Sequence, residues 1–310
     1  MTSSWSRGAE FYVQCALLVI GIVGTATNAL ILYALVASKQ HTKHLLIVHQ
    51  NVLDLFSSIL MVITHSAKLC DIHLTGSVGY WLCTLLLSES LMWWGTIGSV
   101  INLAIITVER YLKVVHAVWS KKKLRSWMIY SAMAFVWIAS FMFNVAAVFP
   151  TSGVIDGVCY AYTIWKNQTV KMIFFVSNFV LFYFIIILIF IVCYWRILVV
   201  IRRQARVMAA HSSADGPSTA QTLSIQIQSN VIKTMIFVSA FYAISWLPSY
   251  IHYLFVTLNP NPTVFDGALY HVNKILAFLY MCTNPFIYAT KFEPVKQVLL
   301  RLIKCNNTSE

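Results

Sequence analysis

Apolar residues in this chain gather in long unbroken blocks instead of alternating with polar ones. Seven blocks, 11–36, 45–67, 84–112, 127–149, 172–195, 231–256 and 267–290, each reach the roughly 20 residues that an α-helix needs to cross a bilayer's hydrocarbon core. Alternation would indicate the strands of a membrane barrel. Continuous blocks predict helices, whose backbone groups are satisfied within one segment. The expected fold is an all-α membrane protein, a seven-transmembrane helix bundle over residues 11–290, with residues 1–10 as a short outer tail. The first block is longer than the apolar part of a cleaved signal, so it reads as the first span.

Polar segments set the orientation. With the N-terminus outside, all but five of the 22 lysines and arginines fall at inner loops and helix ends, the positive-inside arrangement. The five on the outer side are Arg7, Lys68, Lys166, Lys171 and Lys274. The segment 203–229, "RQARVMAAHSSADGPSTAQTLSIQIQS", is predicted to be a mobile inner loop. After the seventh block, "KFEPVKQVLLRLIKC" places Val295, Val298, Leu299 and Leu302 on one face and Lys296, Arg301 and Lys304 elsewhere. That pattern predicts a short amphipathic helix on the inner leaflet within 291–310.

Composition agrees: 59% of residues are hydrophobic and 10% charged, where a soluble domain carries about 25% charged, and mean hydropathy is +0.74. The net charge of +12 is mostly the inner-side bias plus affinity for anionic membrane lipids, and nucleic acid is not an expected partner. No inverted repeat relates the two halves, which argues against a transporter. No nucleophile–base pair, metal-ligand cluster or phosphate loop is present, so neither enzymatic activity nor a cofactor is expected.

The exceptions to apolarity carry the functional signal, because a charge inside a membrane is costly. Asp54 lies in the second block, Glu89 in the third and Lys274 in the seventh. Glu89 and Lys274 are at similar depth, either as a salt bridge or as a pocket for a charged ligand. Seven cysteines is an odd count, leaving at least one unpaired. Cys83 and Cys159 fall on the outer side, where disulfides persist. Cys305, after the amphipathic helix, is a palmitoylation candidate or a free thiol. Asn167 begins an outer N-x-T sequon and is a candidate glycosylation site.

The third block ends in Glu109-Arg110-Tyr111. Asn28 follows Gly24 in the first block, "NVLDL" contains Asp54, and Trp137 lies in the fourth. Tyr194 ends the fifth, "WLP" places Trp246 and Pro248 in the sixth, and "NPFIY" runs from Asn284 and Pro285 to Tyr288. In this order the motifs resemble those of rhodopsin-like (class A) G-protein-coupled receptors, over nearly the whole chain. The resemblance implies a plasma-membrane receptor that binds an extracellular ligand and activates a heterotrimeric G protein, with arrestin, a receptor kinase and membrane lipids as further partners.

It also implies roles. Glu109, Arg110, Tyr111, Tyr194, Tyr288 and the apolar Val118 would meet the G protein. Trp246, Pro248, Asn284 and Pro285 would form the switch. Asp54, Ser99 and Asn284 would hold an allosteric sodium ion. Cys83 and Cys159 would staple the outer loop, although the family usually spaces this cysteine two residues closer to the arginine.

Other departures are as specific. The fifth span has Ile186 where a proline is usual, Tyr242 replaces a customary phenylalanine, and Ala117 a proline. Gln228 stands where an acidic partner for Arg110 is often found, so a weak resting clamp and measurable basal signalling are expected. The tail holds only Thr308 and Ser309, which suggests weak arrestin engagement from that end.

The expected ligand pocket combines Glu89, Met92, Trp93, Tyr250, Tyr253, Tyr270 and Lys274, and charges of both signs suit a short peptide. Opsins carry the retinal-linking lysine at the position of Phe278, and monoamine receptors carry an aspartate at that of Met92. The alternatives are a light-sensing or a constitutively active seven-helix receptor.

Overall fold

The structure, a computed structural model, describes residues 4–42, 44–70, 72–211, 219–258, 268–291 and 293–306. Helix α1 is Ser4–Ala37 and α2 is Leu45–Leu69. The third span comprises α3 (Gly76–Trp81), a π-helical stretch Leu82–Leu87, and α4 (Ser90–Val115). A short helix α5 (Ala117–Lys123) leads to α6 (Ser126–Thr151), the fourth span. Strands β1 (Gly153–Ile155) and β2 (Val158–Tyr160) form an antiparallel hairpin, with Val154 opposite Cys159. The fifth span is α7 (Gln168–Phe179), a second π-helical stretch Val180–Phe184, and α8 (Ile185–His211). Helices α9 (Thr219–Leu258) and α10 (Ala268–Lys291) are the sixth and seventh, and α11 (Glu293–Asn306) follows.

Among the described residues, six helical stretches are long and apolar enough to cross a membrane. Helix α10 packs against both α1 and α9 and closes the ring. Its His271, Asn273, Lys274, Thr283 and Asn284 make it the more polar member. The fourth and fifth spans face outward with Phe135, Ile138, Ile191 and Trp195, all more than half exposed, as a lipid-facing wall requires. The interior is where the polar groups are: Asn28, Gln50, Asp54, Asn102 and Asn284 are fully buried.

Close helix approach needs small residues, and two glycines supply it. A Cβ on Gly24 would come within 2.5 Å of Ser58 Oγ, and one on Gly95 within 2.2 Å of Ser57 Oγ. Asn28 Nδ2 then bridges α1 to α10 by donating to the Met281 carbonyl at 3.1 Å.

The expected mobile loop at 203–229 is corrected. Helix α8 continues to His211 and α9 begins at Thr219, so most of that segment is helical. Its Ala, Gln, Arg and Met are good helix formers and carry both helices beyond the membrane. Ser212, Ser213 and Ser218 lie outside the described residues.

The amphipathic helix forms as expected. Val295 is fully buried, Val298 and Leu299 pack on the bundle core, and Lys296 and Arg301 are exposed.

Candidate ligand and transducer sites

The outer site is built around an interruption of the third span. After the π-helical turn, Glu89 adopts φ +64°, a left-handed conformation that costs a non-glycine residue about 1–2 kcal/mol. A π turn inserts residues without displacing the helix ends. The two extra residues between Cys83 and Arg110 are taken up there, and the Cys83–Cys159 disulfide closes across a Cα–Cα distance of 5.3 Å.

The interruption aims Glu89 into the bundle, where Oε1 meets Lys68 Nζ and Lys274 Nζ, each at 2.5 Å. The salt bridge is therefore present, and it has a third member. Lys68 lies four turns above Asp54 and nearly on its face, the signal by which its inward direction could have been read. His65, buried beside this cluster, pairs through Nδ1 with Gln14 Oε1 at 2.5 Å.

The hairpin loop covers the cluster. Tyr162 donates to Asn144 Oδ1 at 3.2 Å, and Asn144 Nδ2 donates to Ser90 Oγ at 2.8 Å, next to Glu89. Burial, and secondly the charge of Glu89, push the Tyr162 phenol above its ordinary pKa, so it stays neutral.

A small, partly open cavity adjoins Lys274, lined also by Ser249, His252, Tyr253, Tyr270 and Asn273. The seven expected pocket residues thus divide. Tyr253, Tyr270 and Lys274 line the cavity and Glu89 pairs with Lys274. Met92, Trp93 and Tyr250 lie in packed side-chain layers. Trp93 is 5.3 Å from Phe278 and 5.9 Å from Trp246 between ring centroids, and Tyr250 is 5.9 Å from Trp246. Met92 packs with Phe278 in the same apolar cluster.

Trp246 is at the centre of the switch region, with Tyr242 at 6.1 Å on its inner side. Pro248 lies within α9 two residues beyond Trp246, where Asn273 Nδ2 donates to the Pro248 carbonyl at 3.4 Å and Ser249 Oγ to the Asn273 carbonyl at 3.0 Å. The departures in the fifth and sixth spans compensate one another. The Tyr242 hydroxyl donates to the Phe182 carbonyl within the π-helical stretch, and the Tyr183 hydroxyl donates to the Ala243 carbonyl at 3.0 Å.

Below this layer a buried polar chain links α2, α4 and α10. Asn102 Nδ2 donates to Gln50 Oε1 at 2.8 Å, and Gln50 Nε2 donates to Ser99 Oγ. Ser99 donates to Asp54 Oδ1 at 2.6 Å, and Asn284 Nδ2 to Asp54 Oδ2 at 2.7 Å. Asp54, Ser99 and Asn284 do come together, but these residues do not fit a sodium ion. Gln50 Nε2 lies 3.4–3.5 Å from both Asp54 oxygens, so a cation would face amide N–H donors where it needs oxygens.

At the inner end, Arg110 Nε lies 3.1 Å from Glu109 Oε2, and Glu109 Oε1 also pairs with Lys113. Arg110 Nη2 is 3.2 Å from His44 Nδ1, in the turn between α1 and α2. His44, Glu109, Arg110, Lys113 and Ser126 line one inner cleft. Spans three and six are joined instead through Tyr194, whose hydroxyl lies 3.0 Å from both Thr107 Oγ1 and Ser239 Oγ. Tyr111 pairs with His116 Nε2 at 3.2 Å, and Val118, on α5, is 71% exposed. The side chains of Gln228, Tyr288, Leu302, Lys304 and Cys305, and residues Thr308 and Ser309, lie outside those described. Asn167 caps α7, its Oδ1 accepting from the Val170 amide at 2.8 Å.

Residues 27–288 match the family described as 7 transmembrane receptor (rhodopsin family). The chain belongs to that family. It is a G-protein-coupled receptor and not an enzyme.

Galanin receptor type 1 of Rattus norvegicus is 24% identical to this receptor over 98% of this chain and 85% of its own. C-C chemokine receptor type 8 of Mus musculus is 26% identical over 95% and 80%. Somatostatin receptor type 3 of Mus musculus is 24% identical over 94% and 68%. The crystal structure of squid rhodopsin superposes with a TM-score of 0.75 over 97% of this chain and 87% of its own, at 18% identity, a likeness of fold alone.

Proposed function

We propose that this receptor binds a short extracellular peptide and activates a heterotrimeric G protein at the plasma membrane. The observation that carries the reading is the polar cavity beside Lys274, above the Trp246 aromatic layer and the Asp54 chain, with Arg110 at the inner end of the same bundle. The sequence relatives are receptors named for galanin, somatostatin and C-C chemokines, all polypeptides. The lysine-free position of Phe278, and the engagement of Lys274 with Glu89, weigh against a retinal-linked sensor.

In this reading residues 1–10 are an outer tail, 11–290 the receptor domain and 291–310 the membrane-surface helix and tail. Arg110, Tyr111, Val118, Tyr194 and Tyr288 meet the G protein when the sixth span swings out, with Glu109 holding Arg110 beforehand. Trp246, Pro248, Asn284 and Pro285 carry the change inward. The Gln50 amide takes the place of an allosteric sodium ion at Asp54. Asn167 is the glycosylation site, Cys305 the lipid attachment point, and arrestin, a receptor kinase and inner-leaflet lipids are the remaining partners.

The test is nucleotide exchange on a panel of purified G proteins by membranes carrying the receptor, with and without a neuropeptide extract and beside Arg110→Ala. Exchange that rises with extract and vanishes in the variant is expected. Exchange that is high and indifferent to extract would replace the peptide reading with a constitutive receptor.

A further inference from the structure

The outer charge cluster is unbalanced. Glu89 supplies one carboxylate, and both ammonium groups, Lys68 Nζ and Lys274 Nζ, crowd the same oxygen of it. Among the described residues, the other carboxylate whose charge reaches Lys68 is that of Glu10, exposed on α1. Among the described residues positive charge is thus in excess here, an arrangement that is costly unless an anion joins it.

A second observation points to the same ligand. His252 lines the cavity with Lys274, is 5% exposed, and its Nε2 has no hydrogen-bond partner. A buried polar atom left unmatched at a cavity wall is a position that a ligand group can satisfy. The other described residues of the wall are neutral: Ser249, Asn273 and the rings of Tyr253 and Tyr270, the latter 6.0 Å from the His252 ring.

We propose that the cavity receives one carboxylate of the ligand, held by Lys274 and His252, while Glu89 falls back on Lys68. This rests on the peptide-receptor reading and adds the chemistry of the group that enters. A cationic group would bring a third positive charge to a site already in excess. The volume decides how much of the ligand enters. The cavity is small, with room for about one water-sized group, so the end of a carboxylate enters and the body of a peptide does not. The rest of the ligand therefore stays at the outer surface, against the Tyr162 loop.

The carboxylate could be a C-terminus or an Asp or Glu side chain, and the probes separate these. Pooled synthetic octapeptides are prepared in matched forms: free C-terminal acid or amide, and Asp/Glu or Asn/Gln. Each is titrated in the nucleotide-exchange assay on receptor-bearing membranes.

One acidic form should be more potent than its neutral match by about tenfold or more, the size of one charge-assisted hydrogen bond. Loss on amidation assigns the terminus, and loss on Asn/Gln exchange assigns a side chain. In Lys274→Gln the preference for the acidic form should disappear, and in Lys274→Arg, at equal surface expression, it should return. Equal potency of acidic and neutral forms, or a preference that survives Lys274→Gln, would overturn the carboxylate assignment and leave the peptide reading intact. Exchange that no form raises, while remaining Arg110-dependent, would remove the peptide reading and this assignment with it.

Discussion

Single residues decide how the polar interior is satisfied, and Gln50 is the clearest case. Its amide joins Asn102 to Ser99 and lies against Asp54, so the carboxylate is surrounded by hydrogen-bond donors of the protein itself. Purified receptor should melt at the same temperature in sodium and potassium chloride of equal strength. Gln50→Ala empties that position without stranding Asn102, whose Nδ2 also donates to the Leu46 carbonyl at 3.0 Å. The variant should gain roughly 1 kcal/mol, about 2–4 °C, when sodium exceeds its dissociation constant several-fold. A sodium-specific rise in the unaltered receptor would refute the arrangement. Gly157 is as constrained in another way, with φ +76° in the hairpin turn and a hypothetical Cβ 2.3 Å from the His73 ring. Gly157→Ala should lower stability by about 1–3 kcal/mol, read as an earlier thermal transition.

At the scale of elements, the two π-helical stretches are where the chain departs from a regular bundle. The outer one lets Cys83 reach Cys159 while turning Glu89 inward. The other presents the Phe182 carbonyl to the Tyr242 hydroxyl, in a span that lacks proline. Tyr242→Phe would remove the bond between its buried hydroxyl and that half-buried carbonyl, at a cost of about 1 kcal/mol. Thermal unfolding in detergent should show that loss. Tyr183→Phe, at a half-buried hydroxyl, should cost less. Neither stretch was legible beforehand, because a π turn has the composition of any apolar helix. The replacements at 186 and 242 and the altered Cys83 spacing were legible as isolated departures. What they had in common was a change of helical winding, visible only across the helix pair.

For the whole molecule, the question is what holds the inner face closed. Arg110 is occupied by Glu109 and His44, on the side away from the sixth span, while Tyr194 ties Thr107 to Ser239 across spans three and six. Ser239→Ala removes one of those two hydrogen bonds, worth about 1 kcal/mol, and should raise basal nucleotide exchange about fivefold. The same substitution in an Arg110→Ala background should show no exchange. If Ser239→Ala leaves basal exchange unchanged, the Tyr194 bridge is not the restraint.

The sequence by itself determined the spans and which rare polar residues lie at which depth, and it carries the charge bias from which an orientation is proposed. These properties are local: hydrocarbon thickness fixes helix length, lysine and arginine bias favours one direction, and 1.5 Å per residue fixes height. Only the tertiary structure decided partners. Lys68 read as a boundary lysine, yet its helix turns it onto Glu89 beside Lys274, which lies 185 residues away from that glutamate. Asp54 read as an ion ligand, and its neighbour one turn earlier on the same helix proved to be its donor. Rotation of one helix against another is set by packing over the whole bundle. No window along the chain contains it.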